Sequence, residues 1–409
     1  MKILLINKFH YLKGGAERSY LETARVLKEH GHRVAYFSML DRHNLPTKFA
    51  KYFVKKSDYH AKINFLSKLK LAGKSIYSRE AYRNLEALIA DFRPDVAHLH
   101  NINRQLSPSV IYVLKKYKIP MVMTLHDYQL ISPAYNLFCR GKLYERCLGG
   151  KFYRCFLDKC LHNSYSKSFV AMVEAYLYKF LNPYRHIKIF ISPSLFLKRK
   201  FEQAGFTGKI IKLANPVDLK NSVPVKDKDY FLYFGRLSAE KGAETIIEAA
   251  AKAKGLKSKI VIAGAGPEME KLKAKSRELK IAGKIKFAGY QRGLKLIKLI
   301  ADARAVVVPS LCHENAPYAL REAQLLTKIT VCAKVGGLKE YINDGQNGFV
   351  FTPGNSEELA KILEKIDKNK KLRQQATVNI KEFIKDNEDY LSEEKYYWQL
   401  IKIYEQAKK

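Results

Sequence analysis

The sequence predicts an α/β protein built from two doubly wound, Rossmann-like domains, each a parallel sheet with helices on both faces. Short apolar, β-branched runs alternate with helical patterns along nearly all of the 409 residues, which is typical of parallel sheets with crossover helices. A polar stretch with two prolines at 215–228 (NPVDLKNSVPVKDK) interrupts the alternation and reads as a linker. We therefore expect domains at residues 1–219 and 220–385, followed by a helical segment at 386–409.

Each domain is predicted to contain six strands. In the first domain, an apolar run at 2–7 is followed by a glycine turn and a helix to about His30, and the predicted strands are 2–7, 33–39, 95–100, 120–126, 187–192 and 210–214. In the second domain they are 230–234, 259–263, 284–288, 305–308, 330–333 and 349–351. A helix at 390–406 is rich in aromatic residues, so we expect it to pack across a domain rather than stand alone in water.

Composition excludes two classes of protein and raises a question about partners. Apolar residues make up 47% and charged residues 28%, as in folded globular proteins rather than disordered ones. No apolar run approaches the roughly 20 residues that span a bilayer, and the N-terminus reads as a strand rather than a signal peptide. We therefore expect a cytoplasmic protein. The net charge of +35 implies an anionic partner: nucleic acid, an acidic membrane, or phosphorylated small molecules.

One stretch of the second domain, at 305–324 (AVVVPSLCHENAPYALREAQ), combines a buried strand, a loop and the start of a helix. Pro309 ends the strand, and Pro317 suits the first position of the helix, where its missing N–H costs nothing. Glu314 and Glu322 then lie near the carboxyl end of the strand, where open α/β sheets bind ligands. Carboxylates accept hydrogen bonds from a vicinal diol. The alternative is two solvated surface acids.

Two further turns have the composition of anion-binding sites. Arg236 and Lys241 lie in the turn GRLSAEKG after a strand, and such a pair can bind a diphosphate, Arg through its planar fork and Lys as a point charge. Gly14 and Gly15 lead directly into a helix, whose N-terminal N–H groups can bind an anion. Each turn is also compatible with an ordinary solvated connection.

Four cysteines cluster between the middle strands of the first domain: Cys139, Cys147, Cys155 and Cys160. In a reducing cytoplasm we expect reduced thiols rather than a disulfide framework. Their spacings of eight, eight and five residues are looser than the pairs of usual structural zinc sites. A tetrathiolate zinc is nevertheless an open alternative, because so long a loop needs something to order it.

The stretch from Lys48 to Arg83 carries ten basic residues against two acids, with aromatic and aliphatic residues interleaved. A helix of this composition can lie on an anionic lipid surface. This predicts a peripheral enzyme on the inner face of the cell membrane. The alternative is a solvated helix pair whose apolar face packs on the first sheet.

Taken together, the motifs GGAER (14–18), LHDY (125–128), GRLSAEKG (235–242), the acids at 314 and 322, and GGLKEYINDGQNGFVF (336–351) resemble the retaining glycosyltransferases of family 4. The resemblance covers nearly the whole chain and is most specific in its second half. It implies the GT-B fold: two Rossmann-like domains facing across a cleft, with the C-terminal helix crossing back onto the N-terminal domain. It also implies a nucleotide-sugar donor, with UDP or GDP, bound by the C-terminal half, and an acceptor bound by the N-terminal half.

The resemblance also implies roles for single residues. Glu322 would bind the ribose hydroxyls, and Glu314 would face the transferred sugar. Arg236 and Lys241 would hold the diphosphate, and His126 would lie near the reacting carbon of the sugar, although a lone histidine is more often structural.

The same resemblance places the Gly14–Gly15 loop near the diphosphate and Asn315 and Ala316 in the donor site. Many members have phenylalanine–glycine after the first acid, whereas this chain has Asn315, Ala316 and Pro317. Because Pro317 has no N–H, a backbone contact to the donor from that residue is excluded.

The implied reaction needs neither a metal nor a cofactor, because cationic side chains and helix N-termini can stabilise the departing nucleoside diphosphate. The acceptor is expected to be a lipid-linked or cell-surface glycan. The alternatives are a GT-B enzyme that is not a transferase, such as a sugar-nucleotide epimerase or a phosphorylase, and a basic nucleic-acid-binding protein. We do not expect nucleic acid as a partner, since the basic residues are spread out and no nucleic-acid-binding motif is present.

Overall fold

The computed structural model describes residues 1–57, 73–217, 223–387 and 392–409, which form two compact units. The first domain comprises Met1–Tyr135, Glu145–Pro216 and Ser392–Lys409; the second comprises Asn136–Tyr144 and Val217–Leu391. Of the predicted amphipathic stretch at 48–83, the structure describes 48–57 and 73–83: Lys48–Tyr52 is a short 3₁₀ helix with Phe49 buried, and a helix begins at Arg79. The part at 58–72 lies outside the described residues, so its helical structure stays a prediction.

The strands alternate with helices throughout the described chain. The strands are β1 Lys2–Ile6, β2 Arg33–Phe37, β3 Val96–Leu99, β4 Met121–Thr124, β5 Phe138–Cys139, β6 Lys142–Leu143, β7 Ile189–Ser192, β8 Ile210–Lys212, β9 Tyr230–Phe234, β10 Lys259–Ala263, β11 Ile285–Gly289, β12 Ala305–Val308, β13 Ile329–Ala333 and β14 Gly348–Phe351. The helices are α1 Gly15–Glu29, α2 Arg79–Phe92, α3 Ser109–Lys116, α4 Tyr153–Leu157, α5 Tyr165–Leu181, α6 Leu195–Gln203, α7 Ala243–Lys252, α8 Met269–Glu278, α9 Gly293–Asp302, α10 Tyr318–Leu325, α11 Ser356–Lys368, α12 Lys370–Asp386 and α13 Glu393–Lys408.

Both large sheets are parallel, which confirms the predicted pair of α/β domains. The first has the order β2-β1-β3-β4-β7-β8 and the second the order β11-β10-β9-β12-β13-β14. Central strands such as β1 (KILLI) and β12 (AVVV) are buried almost throughout, as expected for strands with helices on both faces. In the second sheet the order reverses between neighbouring strands β9 and β12, and such a switch point opens a crevice at the carboxyl ends of the strands.

The C-terminal helix α13 belongs to the first domain and is held there by polar contacts as well as by apolar burial. The hydroxyl of Tyr404 lies 2.8 Å from Nδ1 of His98, and that of Tyr396 lies 2.7 Å from Oγ1 of Thr23. Tyr404 is fully buried. The aromatic residues that the sequence placed on this helix therefore complete the core of the first domain.

The cysteines are arranged differently from either expectation. Cys155 and Cys160 form a disulfide, and no group of three or more histidine, cysteine or acidic residues within the described ranges is placed to hold a metal. The turn after α4 brings the two Cα atoms to 5.2 Å, within the range that a disulfide requires. Cys147 is buried, with its Sγ 2.9 Å from Oγ of Ser132, and Cys139 lies in the β5–β6 hairpin. The predicted zinc site is therefore not formed, and the four thiols are not all reduced.

Over the described residues, no helix combines the length and the apolar character that crossing a membrane would require.

Candidate functional site

Two loops of the second domain converge at the switch point between β9 and β12. Lys241 comes from the short 3₁₀ turn after β9, and Glu314 from the loop after β12. The Nζ of Lys241 donates to Oε1 of Glu314 at 2.6 Å, and Oγ of Ser310 donates to the same oxygen at 2.5 Å. The structure thus joins two of the predicted site residues where open α/β sheets bind ligands.

Burial and charge act in opposite directions on this pair. The side chains of Lys241 and Glu314 are 32% and 12% exposed. Burial disfavours the ammonium charge, but the Glu314 carboxylate more than offsets it and raises the pKa of Lys241. Burial, reinforced by Glu314, raises the pKa of the neighbouring Cys312 to about 12, so that side chain is a neutral thiol. The two loops therefore present a positioned cation, Lys241, and a carboxylate, Glu314. Cys312 is not a thiolate nucleophile.

Glycines allow the surrounding backbones to approach this loop closely. Gly336 has φ +62°, and a Cβ on it would stand 2.5 Å from the carbonyl oxygen of Glu314. The N–H of Gly337 donates to that same oxygen at 2.6 Å. A Cβ on Gly242 would stand 2.1 Å from the carbonyl oxygen of Pro309. The position of Glu314 therefore depends on residues that carry no side chain.

Glu322 is buried, with only 3% of its surface exposed, in the second turn of α10. That helix begins at Tyr318, and Pro317 has extended backbone angles immediately before it. The predicted placement of Pro317 at the first helical position is therefore wrong by one residue, because its ψ of 129° is not helical. Asn315, half-buried, and Ala316, buried, complete the loop between the two acids.

Arg236 lies two residues after the end of β9, and its side chain is exposed. Its carbonyl oxygen accepts a hydrogen bond of 2.7 Å from the hydroxyl of Tyr233, which holds the turn. A Cβ on Gly264 would stand 1.9 Å from the carbonyl oxygen of Gly235. The glycine after β10 thus permits close packing against the turn that carries Arg236.

Asp227 and Asp229 have a spacing that is found in metal sites, but both contact arginine. Arg304 donates from Nε to Asp227 at 3.1 Å and also binds Asp229, and Arg373 donates to Asp227 at 2.8 Å. These acids therefore tie segments of the second domain together by charge-assisted hydrogen bonds.

In the first domain, Gly14 and Gly15 form the start of α1, with Gly14 as the N-cap. Glu17, in the first turn, is buried, and its carboxylate lies beside Gly14. Burial, opposed by Lys8, raises the pKa of Glu17. This helix N-terminus therefore already has an acidic side chain next to it, a favourable arrangement with the helix dipole.

His126 lies just after β4 and belongs to a row of imidazoles. Its Nε2 lies 2.8 Å from Nδ1 of His100, and Nε2 of His98 lies 2.7 Å from Oγ1 of Thr124. Burial is the main cause that lowers the pKa of His98 and of His126 to about 3, and it lowers the pKa of His100 as well. At neutral pH these rings are therefore neutral donors and acceptors of hydrogen bonds.

Two of these contacts were not predicted from the sequence. The contact of Ser310 with Glu314 spans four residues of a short loop. The hydrogen bond of His100 links it to His126. The alternation of His98, His100 and the later His126 at neighbouring strand ends was the available signal.

Comparison with known proteins gives the class of this chain. A model of Glycosyltransferase Family 4 matches residues 13–221, and a model of Glycosyl transferases group 1 matches residues 216–383. The crystal structure of Anabaena HepE in complex with UDP has a TM-score of 0.67 and 19% identity, and the match covers 98% of this chain and 99% of that one. The fold and these matches define a glycosyltransferase enzyme with the GT-B fold.

Curated relatives agree with this class. An uncharacterized 42.6 kDa protein in the cps region of Klebsiella pneumoniae is 26% identical over 83% of this chain and 87% of its own length. The lipopolysaccharide 1,2-N-acetylglucosaminetransferase of Salmonella typhimurium is 29% identical over 39% of this chain and 47% of that enzyme. For several curated relatives, the match spans less than half of their length. The chain belongs to the glycosyltransferase family that the two matching models describe.

Proposed function

We propose that this glycosyltransferase transfers a sugar from a nucleoside diphosphate sugar to a glycan or lipid-linked acceptor, with retention of configuration and without a metal. The observation that carries the proposal is the Lys241–Glu314 pair at the switch point of the second sheet. The pair combines a held cation, suited to phosphate, with a carboxylate, suited to sugar hydroxyls. The structural neighbour HepE was solved with UDP, which supports a nucleotide donor.

The proposed roles follow from charge. The bond between the anomeric carbon and the diphosphate oxygen breaks as the acceptor hydroxyl oxygen bonds to that carbon, and negative charge develops on the leaving nucleoside diphosphate, which takes up the hydroxyl proton. Lys241 and the exposed Arg236 stabilise that charge. Glu314 accepts hydrogen bonds from the transferred sugar, and Glu322 accepts them from the ribose hydroxyls. Asn315 and Ala316 complete the donor loop.

In the first domain we assign the Gly14–Gly15 turn to the diphosphate and His126 to the sugar near its reacting carbon. A neutral imidazole suits this role, because it can exchange hydrogen bonds with hydroxyl groups without adding charge. A glycan or lipid-linked acceptor is supported by two relatives, a lipopolysaccharide core biosynthesis glycosyltransferase and a lipopolysaccharide 1,2-N-acetylglucosaminetransferase. We propose that the enzyme works at the inner face of the cell membrane, where such acceptors can be lipid-linked.

A panel of nucleotide sugars, assayed by nucleotide release with and without EDTA, tests the reaction. We expect release from one donor class and no loss of rate in EDTA. Loss of activity in EDTA that Mg²⁺ or Mn²⁺ restores would contradict the metal-free reaction.

Site variants test the assigned residues. We expect Glu322→Ala to abolish transfer, and Arg236→Ala or Lys241→Ala to cost about 2–4 kcal/mol of transition-state stabilisation, as a lost electrostatic contact does. Wild-type activity in Glu322→Ala would reject the donor site.

Matched controls come from the same domain. Arg277→Ala removes another exposed arginine, and Lys228→Ala removes a lysine that is paired at 2.8 Å with the largely buried Asp302. We expect both controls to keep wild-type kcat/KM. That result would show that losing a positive charge matters only at the positions of Arg236 and Lys241.

A further inference from the structure

The helix α5 of the first domain turns its apolar side chains toward solvent. Side chains at spacings of three and four residues form one stripe along it, namely Tyr165, Phe169, Val173, Tyr176 and Phe180. Residues at these spacings share one face of a helix. All five are exposed, and Phe180 is 86% exposed.

The buried side of the same helix carries small and polar residues. Ser168, Ala171 and Glu174 are the residues of α5 that are buried. Glu174 accepts a hydrogen bond from the hydroxyl of Tyr178 at 3.2 Å and pairs with Arg104 at 3.8 Å. This reverses the usual arrangement, in which the apolar stripe of an amphipathic helix faces the core. The exposed stripe is therefore not explained by the packing of the first domain.

The neighbouring helix α4 extends this surface. Tyr153 and Leu157, one turn apart, are 45% and 59% exposed. Behind them, the ring of Phe156 packs edge-on against that of Phe169, with centroids 5.6 Å apart. We call the five stripe residues together with Tyr153 and Leu157 the docking face. The ring contact between Phe156 and Phe169 holds α4 and α5 together, so the docking face is a continuous, ordered surface.

Basic residues are frequent in the segment that carries the docking face. They are Lys151, Arg154, Lys159, Lys167 and Lys179. The Nζ of Lys159 lies 4.2 Å from the centroid of the Tyr165 ring, so the charge sits directly beside the stripe. The acids of the same segment are engaged elsewhere: Asp158 pairs with Arg146 at 3.0 Å, and Glu174 is buried.

We propose that the docking face binds the surface of an anionic lipid bilayer. The apolar stripe would lie at the boundary between headgroups and acyl chains, and the basic residues of the same segment would contact anionic headgroups. Tyrosines such as Tyr165 and Tyr176 are favoured at that depth, because their rings are apolar and their hydroxyls are polar. A second copy of the chain is a poorer occupant, since each copy carries a net charge of +35 and would repel the other.

This inference deepens the membrane part of the proposed function, and its test needs no sugar transfer. The full-length chain is co-sedimented with phosphatidylcholine vesicles that contain either no anionic lipid or about 30% phosphatidylglycerol. We expect binding to the anionic vesicles only, and a decrease when salt is raised from about 50 to about 500 mM.

Two pairs of variants locate the contact. We expect Phe169→Ser/Phe180→Ser to weaken vesicle binding by about tenfold or more, and Tyr290→Ser/Leu294→Ser, which changes equally exposed apolar residues of the second domain, to leave it unchanged. For charge, Lys151→Gln/Lys167→Gln/Lys179→Gln is compared with Lys370→Gln/Lys371→Gln/Lys381→Gln, which removes three exposed lysines of α12. The first set is expected to reduce binding and the second to leave it unchanged. The single variant Phe180→Ser, at the most exposed position, guards against loss of folding.

Three outcomes would overturn the inference. Wild-type protein that stays in the supernatant with anionic vesicles at low salt excludes this occupant. Binding that survives all docking-face variants but is lost in Lys51→Gln/Lys55→Gln/Lys56→Gln/Lys62→Gln assigns the membrane contact to the stretch at 48–83. A wild-type dimer in light scattering that becomes monomeric in Phe169→Ser/Phe180→Ser, without vesicle binding, assigns the face to self-association. If the protein transfers sugar but does not bind vesicles, the membrane inference fails and the proposed reaction stands. If it binds vesicles but transfers no sugar, the proposed reaction fails and the membrane inference stands.

Discussion

The two domains share an architecture but differ in the chemistry at the carboxyl ends of their strands. The second domain holds an ion pair, Lys241 and Glu314, on loops tied together by glycine-mediated backbone contacts. The first holds a row of neutral imidazoles that includes His98, His100 and His126. The second domain thus holds a paired cation and carboxylate, while burial keeps the imidazoles of the first domain neutral.

This difference has a physical logic if the reaction is the one proposed. A departing nucleoside diphosphate needs fixed positive charge, which Lys241 supplies only because Glu314 offsets the cost of its burial. A neutral ring can exchange hydrogen bonds with sugar hydroxyls while leaving the field of the phosphate site unchanged. The comparison can be tested by changing the glycine packing that positions Glu314 in the second domain and by protonating the buried histidines of the first.

The largest effect is expected from Gly336→Ala. The new Cβ would meet the carbonyl oxygen of Glu314 at 2.5 Å, at a φ of +62° that alanine rarely adopts. We expect a loss of about 2–4 kcal/mol in unfolding free energy, together with a transfer rate reduced at least as far as in Lys241→Ala. Thermal unfolding followed by circular dichroism and nucleotide release measure the two effects.

The control is Gly283→Ala, in the same domain, where a Cβ would meet nothing within 4 Å. We expect its melting temperature and transfer rate to match the wild type. If Gly336→Ala behaves like this control, the packing of Gly336 does not position Glu314.

The elements of the second domain were predictable to the residue in places, and the residues Lys241 and Glu314 were named, but the contact between them was not predicted. The strands at 230–234, 259–263 and 305–308 were placed correctly, because buried parallel strands are continuous apolar runs that end at turn residues. The hydrogen bond between Lys241 and Glu314 joins residues 73 positions apart. Such a contact depends on strand order and on backbone approach, which a local pattern does not contain.

The second effect concerns pH and the first domain. Burial is the main cause that lowers the pKa of His98 to about 3, and burial together with the charge of Lys28 lowers the pKa of His10 to about 4. In the unfolded chain the imidazoles of His98 and His10 would titrate near pH 6.5. Below that pH the unfolded state therefore binds more protons than the folded state. Stability is therefore fully present above pH 6.5 and is lost as pH falls toward the folded pKa values. We expect a loss of about 2 kcal/mol for each ring between about pH 7 and pH 5.

Trp398, the one tryptophan of the chain, lies on α13 and reports on the first domain. Urea unfolding followed by its fluorescence measures the pH dependence. In His98→Gln the dependence should shrink by about one histidine's share. Equal stability at both pH values would mean that these rings are not held neutral.

Sequence patterns were least informative about exposure and covalent pairing. The stripe on α5 has the spacing of a core-facing helix, and only the tertiary contacts of Ser168, Ala171 and Glu174 reveal that its opposite side is buried. The Cys155–Cys160 disulfide was not expected because a reducing compartment was assumed. The exposure of the stripe depends on what packs against α5, and the disulfide depends on the redox conditions around the protein.

The smallest of the three main effects is expected from Tyr404→Phe, which removes one hydroxyl from the first domain. That hydroxyl lies 2.8 Å from Nδ1 of the fully buried His98. Its loss leaves a buried ring nitrogen without that partner, which costs about 1–2 kcal/mol. The matched variant is Tyr397→Phe on the same helix α13, whose hydroxyl lies 2.9 Å from Nε2 of the half-buried His32. Water can replace that hydroxyl as the partner of His32, so we expect a smaller loss of unfolding free energy. Urea unfolding followed by Trp398 fluorescence measures both, and equal losses would show that burial of the imidazole does not set the strength of these contacts.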